Sequence, residues 1–193
     1  DAYRGSLVVQ DASLSSPGLA FLLATIATFP DGADYTWQDY WRDLVANDVL
    51  IAADWTTAYS VEFSGGSGNG PRPIVVSYAT SPPAEVIFAD PRPAEAPTAA
   101  VEEGCFRQIE FAGVLAGSGF ESAAGSFIDH MLSIPFQEAV PLSMFVYPVH
   151  RDAQLPGEFL EFARIPPNPI DLPPEVIEAN RDTWIETWTE LVR

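Results

Sequence analysis

The segment Ser77-Tyr78-Ala79-Thr80-Ser81-Pro82-Pro83 places an aromatic ring, small hydroxyls and a double proline directly after the apolar run Ile74-Val75-Val76. The β-branched run reads as a buried strand, and two consecutive prolines cannot continue its ladder. Tyr78, Ala79, Thr80 and Ser81 therefore fall at a strand's carboxyl end, where open α/β sheets bind their ligands. A ring beside hydroxyls and freed backbone N–H groups can stack a flat molecule and hydrogen-bond its polar edge. A strand-to-helix turn with a Ser/Thr cap accounts for the same residues without any ligand.

Two further segments have the same grammar. Gln10-Asp11-Ala12-Ser13-Leu14-Ser15-Ser16-Pro17-Gly18 joins a strand end to a helix start. Ser15 and Ser16 stand where hydroxyls, unpaired N–H groups and the positive end of a helix dipole converge, a setting suited to a phosphate or another polar oxygen group. A plain N-cap explains Ser16 equally well. Asp54-Trp55-Thr56-Thr57 again follows a strand and opens a helix, which brings an indole to the sheet edge. Three successive strand ends thus present Ser15/Ser16, Trp55 and Tyr78–Ser81, and their convergence is more specific than any one of them.

The elements that must position these groups are legible along the chain. Leu7-Val8-Val9 and Val49-Leu50-Ile51 read as strands, and Pro17-Gly18 opens an apolar helix reaching about Thr28. Thr36 to Asn47 carries Trp37, Tyr40, Trp41 and Leu44 at helical spacing. Trp55 to Phe63 reads as a short helix and Gly65 to Gly70 as a flexible turn. This alternation predicts an α/β lobe with helices covering a sheet. Ala89 to Ala100, rich in proline and alanine, reads as an extended surface segment or linker. Beyond it, Phe106 to Leu115 and Phe145 to Val149 are expected as strands. Ser122 to Leu132, Pro135 to Ala139 and Glu175 to Val192 are expected as helices. Trp184 and Trp188, four apart on the last of these, read as packing residues.

Composition bounds the function. The chain has 193 residues, with 27 acids against 9 bases and a net charge of −18; every base is arginine. Such a field repels nucleic acids and anionic membranes and attracts cationic small molecules. Cys105 is the only cysteine, so an internal disulfide or a cysteine-based zinc site is excluded. The longest apolar stretch, Leu19 to Phe29, is too short to span a bilayer. No Gly-x-Ser-x-Gly elbow, HExxH or phosphate-binding lysine loop is present. Neither His130 nor His150 has a partner in a nucleophile–base motif. The chain offers recognition groups and no reaction centre, so no catalytic residue, metal or cofactor is expected.

These segments together resemble the periplasmic thiamine-binding proteins of bacterial ABC importers. The resemblance rests on Gln10-Asp11, Ser15-Ser16-Pro17-Gly18-Leu19, Trp55, Ala58-Tyr59 and Ser77-Tyr78-Ala79-Thr80-Ser81-Pro82. It continues collinearly through Gln108-Ile109-Glu110, Phe127-Ile128-Asp129-His130-Met131, Tyr147-Pro148-Val149, Leu155-Pro156-Gly157 and Trp184-Ile185-Glu186-Thr187-Trp188. It implies a lobe of the type II periplasmic-binding-protein fold, a mixed sheet flanked by helices. The implied ligand is thiamine, thiamine monophosphate or thiamine diphosphate, delivered to a membrane permease from a periplasmic or extracytoplasmic location. By match to the family's ligand positions, Ser15 and Ser16 hold the hydroxyethyl or phosphate end. Trp55, Tyr78, Ala79, Thr80 and Ser81 line the walls, and Phe145 stands where relatives carry a tryptophan. That replacement weakens cation–π attraction and removes an indole N–H.

The resemblance further implies that residues 1–106 form the second lobe, 107–148 cross into the first lobe, and 149–193 return to the second. On this reading the amino-terminal lobe is absent from the chain and is expected on a separate polypeptide, because Phe111, Val114, Phe127 and Met131 would otherwise be exposed. Other cargoes of the same fold are a different cationic heterocycle, a polyamine or a ferric ion. An enzyme acting on thiamine-like pyrimidines would need Cys105 as its nucleophile, and a lobe serving only as an interaction module is a third alternative.

Overall fold

A computed structural model describes residues 2–66 and 68–193. Ser67, within the expected Gly65–Gly70 turn, lies outside the described residues. The chain divides into two compact units: unit 1 comprises Asp1–Ala79, Pro97–Arg107 and Ile165–Arg193, and unit 2 comprises Thr80–Ala96 and Gln108–Arg164.

Unit 1 is built on strands β1 (Leu7–Gln10), β2 (Leu50–Ala52) and β3 (Ile74–Val75). Their order is β2-β1-β3, with Val8 opposite Leu50 and Val75, and both pairings are parallel. The expected sheet was mixed; the described strands pair only in parallel. Val8 and Val9 in the central strand are fully buried, as a parallel strand covered on both faces requires. The expected burial of the Ile74 run holds less well, because β3 is an edge strand and Ile74 is 39% exposed.

Parallel strands need crossovers, and helices supply them. Helix α1 (Ser16–Thr28) follows β1, and α2 (Trp37–Ala46) leads to β2. Thr36 and Asp39 form a reciprocal capping box at the start of α2, fixing where that helix begins. The long helix here named α7 (Pro174–Val192) packs on α2. Trp41 meets Trp188 edge-on at 5.4 Å and Phe21 at 5.6 Å, while its indole N–H donates to Thr25 Oγ1 at 3.0 Å. Trp37, Trp41 and Trp188 are each 1% exposed and share one core with Val9, Ala12, Leu22 and Ile26.

Unit 2 contains α3 (Ser81–Phe88), α4 (Glu121–Met131), α5 (Ile134–Met144) and α6 (Gly157–Phe162). Helix α3 packs on α6, with Val86 and Phe159 buried. The sequence gives no clear sign of α6, which is six residues long. Two expected strands are absent from the described residues. Phe106 makes a single parallel bridge to Ile170, after which 108–115 is exposed and has no strand to pair with. Around Phe145–Val149, helix α5 runs on past Pro141 to Met144, and Phe145 closes it in the left-handed region at φ 54°. The Val149 N–H then bonds the Gln137 side chain at 2.7 Å instead of a strand. Helix α5 is accordingly longer than the expected Pro135–Ala139.

Gly18 shows how tightly α1 meets the sheet. A Cβ at this position would lie 2.5 Å from the Gln10 carbonyl oxygen and 2.9 Å from that of Asp11. Backbone cannot yield as a flexible side chain does, so Gly18→Ala is expected to lower stability by about 1–3 kcal/mol despite alanine's better helix propensity. A denaturant midpoint unchanged from the parent would contradict this close approach.

Candidate functional site

Because β1, β2 and β3 run parallel, their carboxyl ends lie at one edge of unit 1. The Asp11 N–H donates to the Ala52 carbonyl at 2.8 Å, which ties the exit of β1 to that of β2. Gln10, fully buried, donates from Nε2 to the Val76 carbonyl at 2.8 Å and so ties the same exit to β3. The Val76 N–H donating to the Val8 carbonyl at 3.0 Å adds a backbone bond between β1 and β3. Gln10 Oε1 is buried and has no partner among the described residues.

Ser15 and Ser16 sit on this edge. Ser15 is the N-cap of α1, half-buried and in extended conformation, and its side chain makes no capping bond. Asp11 organises the turn before it: its carboxylate accepts from the Ser13 N–H at 2.8 Å and the Ser13 hydroxyl at 2.5 Å. The Asp11 carbonyl accepts from the Ser15 N–H at 3.0 Å. Ser16 is exposed. The helix start thus offers hydroxyls and dipole without a capping bond from Ser15.

Trp55 is held on several sides. Its ring stacks on Tyr59 with centroids 4.7 Å apart and planes 13° from parallel. Its indole N–H donates to Ser77 Oγ at 3.0 Å, and Tyr78 lies tilted at 6.4 Å. The expected helix here is a π-helical turn, Thr57–Glu62, closed by the Phe63 N–H on the Ala58 carbonyl. Such turns cluster at functional sites. Asp54 anchors its start by accepting from the Thr57 N–H at 2.7 Å, and these hydrogen bonds hold the Asp54 carboxyl below its ordinary pKa. Tyr59 is 6% exposed, so it backs Trp55 from inside the unit. Ser77 and Tyr59 complete the platform; the i, i+4 spacing of Trp55 and Tyr59 is a sequence signal for the stack, whereas nothing local marks Ser77 as the indole's acceptor. Tyr78 is 39% exposed and Ala79 half-buried, both at this edge.

Thr80, Ser81 and Phe145 belong to unit 2. Thr80 is buried, and its hydroxyl donates to the Phe145 carbonyl at 2.6 Å. Ser81 is the first residue of α3. Phe145 packs on Phe88 at 5.2 Å and stacks on Phe159 at 6.3 Å, with Tyr147 edge-on to Phe159. The Tyr147 hydroxyl is buried without a partner among the described residues, and burial pushes its pKa up to about 12, so it stays neutral at physiological pH. Among the described residues, no group of three or more His, Cys, Asp or Glu could hold a metal. Cys105 is half-buried with its thiol on the Val101 carbonyl, and burial followed by Glu102 and Glu103 raises its pKa.

Ser77→Ala is expected to lower stability by about 0.5–1.5 kcal/mol and to shift the Trp55 indole N–H resonance, with Ser77→Thr restoring both. An indole resonance unmoved by the alanine change would show that Ser77 does not orient the ring.

No family model matches the sequence. The chain is 31% identical over 186 residues to the thiamine-binding periplasmic protein of Salmonella typhimurium, covering 96% of this chain and 53% of that protein. The Escherichia coli protein of the same name is 30% identical over the same extent, and that of Brucella suis is 27% identical over 183 residues, or 94% of this chain and 51% of that one. Among solved structures, a periplasmic thiamin binding protein superposes with a TM-score of 0.81 at 27% identity, covering 98% of this chain and 56% of the other. The chain spans about half the length of the relatives it matches. It is thus similar, in sequence and in fold, over almost its whole length to about half of a thiamine-binding periplasmic protein.

Proposed function

We propose that this chain is a lobe of a periplasmic or otherwise extracytoplasmic solute-binding protein that takes up thiamine or its phosphates for an ABC permease. The observation that carries this is the collinear likeness to thiamine-binding periplasmic proteins over 94–98% of the chain, sequence and fold together. The site chemistry agrees with it. A thiazolium cation favours aromatic faces, which Trp55 on Tyr59 supplies, and a hydroxyethyl or phosphate end suits the hydroxyls and helix start at Ser15 and Ser16. Tyr78, Ala79, Thr80, Ser81 and Phe145 are assigned to the walls. The net charge of −18 favours a cationic cargo.

In this reading the chain binds without transforming its ligand. A nucleophilic cysteine needs a lowered pKa, and Cys105 has a raised one. Trp55→Ala and Tyr78→Ala are each expected to weaken thiamine binding by about 1–3 kcal/mol, or roughly 5- to 150-fold, measured by calorimetry. Affinity unchanged in both variants would remove the aromatic wall from the site.

The lobe assignment 1–106, 107–148 and 149–193 belongs to the same reading, as does a complementary polypeptide surface that covers the apolar face of unit 2. Its support is apolar surface in unit 2: Phe111 is 89% exposed, Leu115 81%, Phe120 75% and Phe127 60%. Helix α4 buries no residue at all among those described. Exposed apolar area of this kind marks a contact surface. Native mass spectrometry is expected to show a second polypeptide together with a thiamine-sized mass. A bare, well-behaved monomer would overturn the covered apolar face.

A further inference from the structure

Thr80 stands at the N-cap of α3, where a threonine oxygen ordinarily accepts a hydrogen bond from the second or third helical N–H. Here those positions are Pro82 and Pro83, and neither has an N–H to give. Capping is ruled out by the covalent structure, and Thr80 makes no such bond. Thr80 is 4% exposed, and a buried hydroxyl must still find a partner. It donates to the carbonyl of Phe145, sixty-five positions away, at 2.6 Å.

The acceptor is unusual in its own right. Phe145 adopts a left-handed backbone conformation at φ 54°, a region that disfavours residues with a Cβ. Two hydrogen bonds fix it there: its N–H closes α5 on the Pro141 carbonyl at 3.1 Å, and its carbonyl receives the Thr80 hydroxyl. With both peptide groups held, the Cα–Cβ direction is set, and the ring lies against Phe88 and the buried Phe159.

We infer that Thr80 is a positioning residue whose hydroxyl holds Phe145 in its left-handed conformation, so that it acts on the ligand through that ring and not by contact. This rests on the thiamine-binding reading, in which Phe145 faces the ligand. It also reassigns Thr80, which the family resemblance and the proposed function place among the wall residues, to a role behind the wall.

The test has a readout that does not depend on thiamine. A fluorinated phenylalanine at position 145 reports the ring's environment by fluorine NMR in the parent, Thr80→Val and Thr80→Ser. The valine variant is expected to shift or broaden that resonance, and the serine variant to restore it. A resonance unmoved by Thr80→Val in a folded protein overturns the inference. Thiamine titrations form the second arm, with Thr80→Val expected to weaken binding several-fold and Thr80→Ser to return it to within about twofold. In a Phe145→Ala background, Thr80→Val is expected to have no further effect. A further loss in that background would mean that Thr80 touches thiamine itself, and the inference fails. If no form binds thiamine, the proposed function fails, while the fluorine resonance alone upholds or overturns the positioning of Phe145.

Discussion

The parallel order β2-β1-β3 is the constraint from which the rest of unit 1 follows. Parallel strands cannot be joined by tight turns, so each connection must cross back over the sheet and every strand exit falls at the same edge. Ser15, Trp55 and Tyr78 come from segments far apart in sequence, yet the topology alone brings them to that edge. Gln10 and the Asp11 N–H then bind the three exits to one another, so the edge behaves as one structural piece.

Hydrogen bonds to aromatic residues recur in both units, and they do similar work. In unit 1 the Trp55 indole is fixed by Ser77 and backed by Tyr59. In unit 2 the Phe145 backbone is fixed by Thr80 and its ring is backed by Phe88 and Phe159. Rings held this way lose little freedom when a flat molecule lands on them, which is how pre-organisation raises affinity. The small polar residues of the Ser77–Ser81 segment are therefore divided in their roles, since Ser77 and Thr80 orient neighbouring groups.

Most of unit 1 is legible in the sequence because its signals are local. Apolar triplets mark β1 and β2, Pro17 marks the start of α1, and the spacing of Trp37, Tyr40, Trp41 and Leu44 marks α2. Unit 2 is less legible. Phe106–Leu115 and Phe145–Val149 have strand-like composition, but a strand exists only where a partner pairs with it. The first finds a single bridge; the second begins in a left-handed helix cap. The edge location of Tyr78 is readable from the run before it. The Thr80 hydroxyl bond is not, since its acceptor is sixty-five residues away, although Pro82 and Pro83 announce that the hydroxyl must look beyond its own helix.

Those two prolines have a consequence for the start of α3 itself. Helix α1 begins with one proline among its first residues and keeps the Gly18 N–H, whereas α3 begins Ser81-Pro82-Pro83 and lacks two adjacent donors. Both helices carry the partial positive charge of their aligned peptides, but charge without N–H groups cannot grip an oxyanion. For a sulfate, a carboxylate or any other oxyanion, the opening of α3 has one N–H among its first three residues, that of Ser81, where α1 has two, those of Ser16 and Gly18, so α3 is the poorer grip.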